Sequence, residues 1–190
     1  MTATTTRTWD VIESQGYETA WITVGTDTLH ARGRAVGTVP EPYWISYELE
    51  TGEDFVTRSL RVTAETATAT RELDLRRRDD GRWSADGVVL PEVDGALDCD
   101  LGLCPVTNAM PVLRHGLHLR PGRRRFLMAW VSVPDLTVRL SRQTYTHLSR
   151  TDTTAVIRYE SGDYRSDVTF DEAGLVLTYP GMARPLGAAD

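Results

Sequence analysis

Apolar and polar residues alternate along most of the chain, a pattern typical of strands with one buried and one solvated face. Leu136, Val138 and Leu140 alternate with polar residues, and the same period of two recurs over residues 67–75 and 164–170. Short turn sequences, such as Asp-Asp-Gly at 79–81, separate these runs. The pattern predicts an all-β fold, built as a single curved antiparallel meander.

One segment departs from this alternation, because residues 126–133 (FLMAWVSV) are apolar on both faces. Such a strand is covered on both sides, so we expect the inside of the curved sheet on one side and a helix, a loop or a partner subunit on the other. One short helix is predicted near residues 107–118, with Thr107 or Asn108 as its N-cap.

A meander of this length can close into a barrel or remain a half-barrel plugged by the helix, and the sequence leaves both open. About ten or eleven strands are predicted, and barrels of more than about eight strands leave space inside for more than side chains. An internal cavity is therefore expected.

Length and composition indicate one globular domain over residues 1–190, since 41% of the residues are hydrophobic and 25% are charged. The 27 acidic and 21 basic residues give a net charge of −6. This balance disfavours nucleic acid as a partner and gives no reason to expect attraction to anionic lipid surfaces.

The beginning of the sequence, Met1 to Arg7, is polar, and no apolar run reaches the roughly 18 residues of a membrane span. Neither an apolar signal core nor a lipid-attachment cysteine occurs there. We therefore expect a cytoplasmic protein without a transmembrane segment, in which Cys99 and Cys104 are free thiols.

Candidate chemistry concentrates between residues 93 and 114. Asp98 and Asp100 are two residues apart, so on a strand both point to the same face. They could line a pocket, where repulsion raises one pKa, or form an exposed acidic strand end that caps the next turn. Thr107 and Asn108 can bond a ligand hydroxyl or nearby backbone. Arg114 could join a buried ion cluster with these carboxylates or bind an anionic headgroup.

These residues also carry a resemblance to a known family. The matching pieces are Asp98-Cys-Asp100-Leu-Gly102, Pro105-Val-Thr107-Asn108-Ala-Met-Pro111 with Arg114, Gly81-Arg-Trp83, Gln143-Thr-Tyr145, Arg158-Tyr-Glu160-Ser161 with Tyr164, and Tyr179-Pro-Gly181. Together they resemble the signature of a bacterial family named for glycolipid binding. The resemblance implies a curved β sheet or barrel similar to lipoprotein-localisation carriers and binding of a glycolipid, and it assigns no catalytic residue to this sequence. The chain departs from those carriers because its sequence shows no export signal.

The first hypothesis is therefore binding of an amphipathic ligand, such as a glycolipid, in a cavity of the curved sheet. Its tail would lie against residues such as Phe126, Met128, Trp130 and Leu175, and its head would meet polar residues of the 98–114 segment. The predicted ligand-binding residues are Asp98, Asp100, Thr107, Asn108, Arg114, Trp130, Tyr145, Tyr159, Glu160 and Tyr164. No cofactor is expected.

Three alternatives remain. A hydrolase acting on a sugar or lipid ester could use Asp98 or Asp100 together with Glu160, although adjacent carboxylates on one strand rarely span a substrate. A structural homodimer without a ligand is the second alternative. Cys99, Cys104 and the His115/His118 pair have approximate zinc-ligand spacing, but the histidines lie one residue too close together, and buried thiols are the favoured interpretation.

Overall fold

The computed structural model describes residues 4–187, which fold into two β-sheets and one short α-helix. The larger, nine-stranded sheet has the order β15-β1-β2-β3-β4-β5-β6-β7-β8. Its strands are β1 Thr4–Val11, β2 Gly16–Val24, β3 Leu29–Gly37, β4 Tyr43–Thr51, β5 Thr57–Thr66, β6 Thr70–Arg77, β7 Trp83–Ala85, β8 Val88–Val89 and β15 Ala183–Pro185.

The smaller, six-stranded sheet has the order β14-β13-β12-β11-β10-β9 and forms a half-barrel. Its strands are β9 Asp98–Leu101, β10 Arg123–Val131, β11 Val138–Arg150, β12 Thr154–Ser161, β13 Tyr164–Asp171 and β14 Val176–Thr178. The predicted all-β fold with one short helix is confirmed, and of the two forms that the sequence left open the structure has the half-barrel. The chain has more strands than the pattern predicted because β7, β8, β14 and β15 are too short to show an alternation.

One strand pair is parallel rather than antiparallel. β9 pairs with β10 in the register Asp98↔Met128 to Leu101↔Val131. Parallel strands need a crossover of a dozen or more residues, and residues 102–122 supply it with a 3-10 turn at Pro105–Asn108 followed by helix α1, Ala109–His115. The helix ends at Gly116, whose φ of 59° is left-handed and suits glycine. No helix within residues 4–187 is long and apolar enough to cross a bilayer.

β10 is covered on both faces, as its apolar sequence predicted. On one side, Phe126 makes an edge contact with Tyr145 and lies beside His115. On the other side, Leu127 lies against the loop that precedes β9, within contact distance of Gly95. Val93 of the same loop is fully buried. The outer face of β10 is therefore covered by a loop, which is one of the three possibilities that the sequence left open.

The two ends of the fold are closed differently. At one end, α1 packs against the 3-10 turn Glu53–Phe55 of the large sheet, and Leu113 lies against Gly174 in the β13–β14 turn. At the opposite end, the β1–β2, β3–β4 and β12–β13 turns surround an opening between the sheets. The helix thus plugs one end and leaves the other accessible.

The inner face of the large sheet contains one buried acid, Glu18 on β2, which is inaccessible to solvent. The Tyr47 hydroxyl donates a hydrogen bond to its Oε1, while Oε2 has no hydrogen-bond partner among residues 4–187. Burial raises the pKa of Glu18 from 4.5 to about 8, and the Tyr47 hydrogen bond only partly opposes this shift. Glu18 is therefore protonated, and neutral, near pH 7.

Glu18 should make stability depend on pH. Its pKa is higher in the folded than in the unfolded chain, so its contribution is complete below about pH 4.5 and is lost as the pH rises towards 8. The free energy of unfolding should fall by up to about 1.4 kcal/mol per pH unit in that window because of this group. Denaturant titrations across the window should show a shallower fall for Glu18→Gln, and parallel profiles for the two proteins would contradict the assignment.

Candidate functional site

A cavity of about 690 Å³ lies between the sheets at the open end of the fold. The large sheet contributes only turn residues, Glu13, Val39 and Pro40, whereas the half-barrel contributes most of the wall. The lining residues from the half-barrel strands and the segments that follow them are Asp100, Leu101, Gly102, Leu103, Cys104, Asn108, Trp130, Val133, Arg139, Leu140, Ser141, Arg142, Tyr159, Ser161, Gly162, Tyr164, Tyr179 and Met182.

Aromatic rings form much of the wall. Tyr159 has its ring centroid 5.8 Å from that of Tyr179 and 6.0 Å from that of Tyr164, both in edge-to-face geometry. Behind this group, Tyr145 continues the same stacking at 5.3 Å from Tyr159. Edge-to-face contacts hold each ring in place, so these tyrosines form an aromatic section of the wall.

A chain of hydrogen bonds runs behind the wall and ends on Asp100. The Asn108 amide donates to the Tyr145 hydroxyl at 2.9 Å, and that hydroxyl donates to Gln143 Oε1 at 3.1 Å. Gln143 Nε2 then donates to Asp100 Oδ2 at 2.6 Å, while the Thr107 hydroxyl donates to Asp100 Oδ1 at 2.9 Å. Both Asp100 oxygens are therefore satisfied from inside the protein.

Asp100 borders the cavity but is only 8% exposed. Burial raises its pKa above the ordinary value, and the bonds from Gln143 and Thr107 act in the opposite direction. The nearby carboxylate of Asp98 adds a smaller upward effect.

Asp98 has a different role, although it points to the same face of β9. Arg114 of α1 forms a two-pronged ion pair with it, and both side chains are buried. The same guanidinium also donates to the backbone oxygens of Asp54 and Phe55, at 2.7 and 3.0 Å. Arg114 therefore joins the helix, β9 and the large sheet, and neither it nor Asp98 lines the cavity.

Charged groups also lie at the cavity rim. The Arg139 guanidinium carbon is 4.2 Å from the ring centroid of Trp130, which is cation–π geometry. Arg142 and Glu13 line the same opening and are exposed.

The structure brings together only part of the predicted ligand-binding set. Asp100, Asn108, Trp130, Tyr159 and Tyr164 line the cavity. Thr107 and Tyr145 lie behind them, bonded to lining residues. Asp98, Arg114 and Glu160 are absent from the lining, as are Phe126, Met128 and Leu175 of the expected tail site.

Glu160 lies beside a surface arginine, 3.8 Å from Arg123, because alternation on β12 sends it to the face opposite Tyr159. The three carboxylates considered for a hydrolase are consequently not gathered at the cavity. Arg158, two residues before Glu160 on the same strand, pairs with Asp167 at 2.7 Å.

The four residues considered for zinc do not form a cluster in the described part of the chain. Cys99 lies against Thr57, with 3.6 Å between Oγ1 and Sγ, whereas Cys104 borders the cavity. Burial raises the pKa of Cys99 to about 12 and that of Cys104 well above its usual value, so both are neutral thiols.

Most of the other cavity and network residues were outside the predicted set, among them Gln143, Tyr179, Glu13 and Arg139. Gln143 belongs to the same motif as Tyr145 and shares its face of β11, so strand period was a usable signal. Tyr179 belongs to the Tyr179-Pro-Gly181 piece of the family resemblance. Glu13 and Arg139 carry no local signal, because their proximity to the cavity follows from tertiary folding.

The fold and the site define a half-barrel β protein with a cavity at one end. The family model described as "Putative glycolipid-binding" matches residues 6–185, and the chain belongs to this family. A crystal structure of a DUF1089 family protein from Pseudomonas aeruginosa is similar, with a TM-score of 0.73 and 30% sequence identity over 89% of this chain and 92% of that chain. No curated protein matches the chain.

Arg114→Ala should lower the free energy of unfolding by about 3–5 kcal/mol, because it leaves the buried Asp98 carboxylate without its partner. The matched control is Arg158→Ala, which removes an exposed two-pronged pair with Asp167 and should cost less than about 1 kcal/mol. Urea unfolding of both variants measures the difference, and equal losses would contradict the structural role of Arg114.

Tyr145→Phe should cost about 1–3 kcal/mol of unfolding free energy, since the Asn108 amide and the Gln143 oxygen each lose a buried partner. Tyr17→Phe, at a ring that is 52% exposed, should change stability by less than about 0.5 kcal/mol. Thermal unfolding followed by circular dichroism compares the two, and an unchanged Tyr145→Phe protein would refute the hydrogen-bond chain.

Proposed function

We propose that the protein binds an amphipathic small molecule of the glycolipid class, without catalysis, in the cavity at the open end of the half-barrel. The observation that carries this proposal is the cavity itself. Its volume of about 690 Å³ falls within the roughly 300–1,000 Å³ of small-molecule sites, and its wall combines apolar and polar groups. The family description supports the same class of ligand.

The apolar part of the ligand would contact the aromatic and aliphatic wall, in particular Trp130, Leu140 and Tyr179. Each CH₂ group removed from water contributes about 0.8 kcal/mol. An eight-carbon tail would therefore supply roughly 6 kcal/mol, part of which offsets the lost freedom of the ligand.

The polar part would be oriented by groups at the rim and the Asp100 side of the cavity. Asn108 and Ser161 offer hydrogen-bonding atoms in the lining. Both Asp100 oxygens already accept internal hydrogen bonds, from Thr107 and Gln143. The main role of Asp100 would therefore be to hold these neighbours in position, and not to contact the head of the ligand. A small number of polar contacts is enough to orient a ligand in such a pocket.

Trp130 is the tryptophan that borders the cavity, so it should report binding. Titration with n-octyl β-D-glucoside below its micelle concentration should change the intrinsic fluorescence, and Trp130→Phe should remove most of that change. Trp44→Phe is the matched control, because Trp44 is 39% exposed and lies outside the cavity lining.

A response that survives in Trp130→Phe and disappears in Trp44→Phe would place binding on the outer surface and contradict the proposal. Organic extraction of the purified protein, followed by mass spectrometry, provides an independent measurement. We expect a co-purified lipid in stoichiometric amount from the wild type.

A further inference from the structure

The charged side chains of the cavity are not equivalent. Asp100 is enclosed and bonded by Gln143 and Thr107, so its charge is already compensated from inside. Glu13 belongs to the β1–β2 turn of the large sheet, opposite the half-barrel wall. Arg139 and Arg142 both lie on β11 at the rim. The half-barrel side of the opening therefore presents positive charge.

Arg139 is held in place by a tryptophan ring and not by an ion pair with a carboxylate. Its guanidinium stacks on Trp130 at 4.2 Å, and no acidic group within residues 4–187 lies within ion-pair distance of it. By contrast, Arg114 and Arg158 are each bonded to an aspartate. A guanidinium stacked on a ring keeps its in-plane N–H donors available, and these match phosphate and carboxylate geometry.

Hydroxyl donors lie beside this arginine. Ser141 is two residues from Arg139 on β11, which places both on the same face of the strand. Its Oγ lies 3.3 Å from Oγ of Ser161 on β12, and both serines border the cavity. Arg139 and the serine pair therefore lie along one section of the rim, next to the ring of Trp130, and the pair can offer one O–H that the serines do not use between themselves.

We propose that this section, formed by Arg139, Ser141 and Ser161, binds an anionic group of the phosphate or carboxylate class in the head of the ligand. The inference rests on the proposed function and deepens it, because it distinguishes an acidic glycolipid or phospholipid from a neutral one. Arg142 adds long-range attraction from the same strand. The Trp130 ring then has two roles, because it orients the Arg139 guanidinium and also forms part of the apolar wall.

The test compares two amphiphiles with the same tail, n-octyl phosphate and n-octyl β-D-glucoside, by calorimetry below their micelle concentrations. Wild-type protein should bind the phosphate at least about tenfold more tightly, as expected for charge-assisted hydrogen bonds. Arg139→Gln should remove most of this preference, so that the two affinities become similar, and Arg139→Lys should restore part of it. Higher ionic strength should weaken phosphate binding only.

Arg32→Gln is the matched control, because Arg32 lies over Trp21 at 5.3 Å on the large sheet, outside the cavity lining. It should retain the phosphate preference. Inorganic phosphate separates two sources of the anion, since a lipid head requires octyl phosphate to bind much more tightly than the free ion. Equal affinity for these two would overturn the assignment to a lipid head.

The outcomes also separate this inference from the function on which it rests. Equal affinity of the wild type for octyl phosphate and octyl glucoside would overturn the anion site and leave amphiphile binding intact. Binding of neither amphiphile would overturn both. A preference for phosphate that persists in Arg139→Gln would show that the proposed residues are wrong.

Discussion

The burial of two carboxylates on one short strand is the constraint on which the rest of the structure depends. Asp98 and Asp100 are 0% and 8% exposed, and a buried carboxylate is costly unless charges or hydrogen bonds compensate it. The compensating groups come from three other elements: Arg114 from the helix, Thr107 from the turn before it, and Gln143 from β11. Satisfying β9 therefore fixes where the helix lies and how the half-barrel is closed at that edge.

The two aspartates have different roles, one in holding the fold together and the other at the cavity. Asp98 is committed to Arg114, whose remaining donors hold the backbone at Asp54 and Phe55 of the large sheet. Asp100 is bonded to the chain of hydrogen bonds that runs through Gln143 and Tyr145, behind the cavity wall, to Asn108 in the lining. Asp98 thus serves the connection between the sheets, and Asp100 serves the binding surface. A substitution of Asp98 therefore tests folding, whereas a substitution of Asp100 also affects the cavity.

Much of the architecture could be predicted from the sequence, because strand alternation is a local property. It placed Ser166, Val168 and Phe170 on one face of β13, and these residues are buried. It also placed Asp98 and Asp100 together. Local pattern does not specify which strands become neighbours, so the Asp98–Arg114 pairing remained one of two alternatives. Nor does alternation say which of the two faces is the inner one. It therefore could not show that Tyr159 borders the cavity whereas the adjacent Glu160 does not.

The persistence of the cavity also follows from the groups around it. A wall of aliphatic side chains could collapse into the space, since dispersion favours filling it. Here the rings are held edge to face in a series from Phe126 through Tyr145 and Tyr159 to Tyr164, and His115 of the helix lies tilted against Phe126. The series connects the plugged end to the open end. The Tyr145 hydroxyl is bonded on both sides, so this ring cannot move inwards without breaking two buried hydrogen bonds. The polar network behind the wall therefore keeps the space in front of it open.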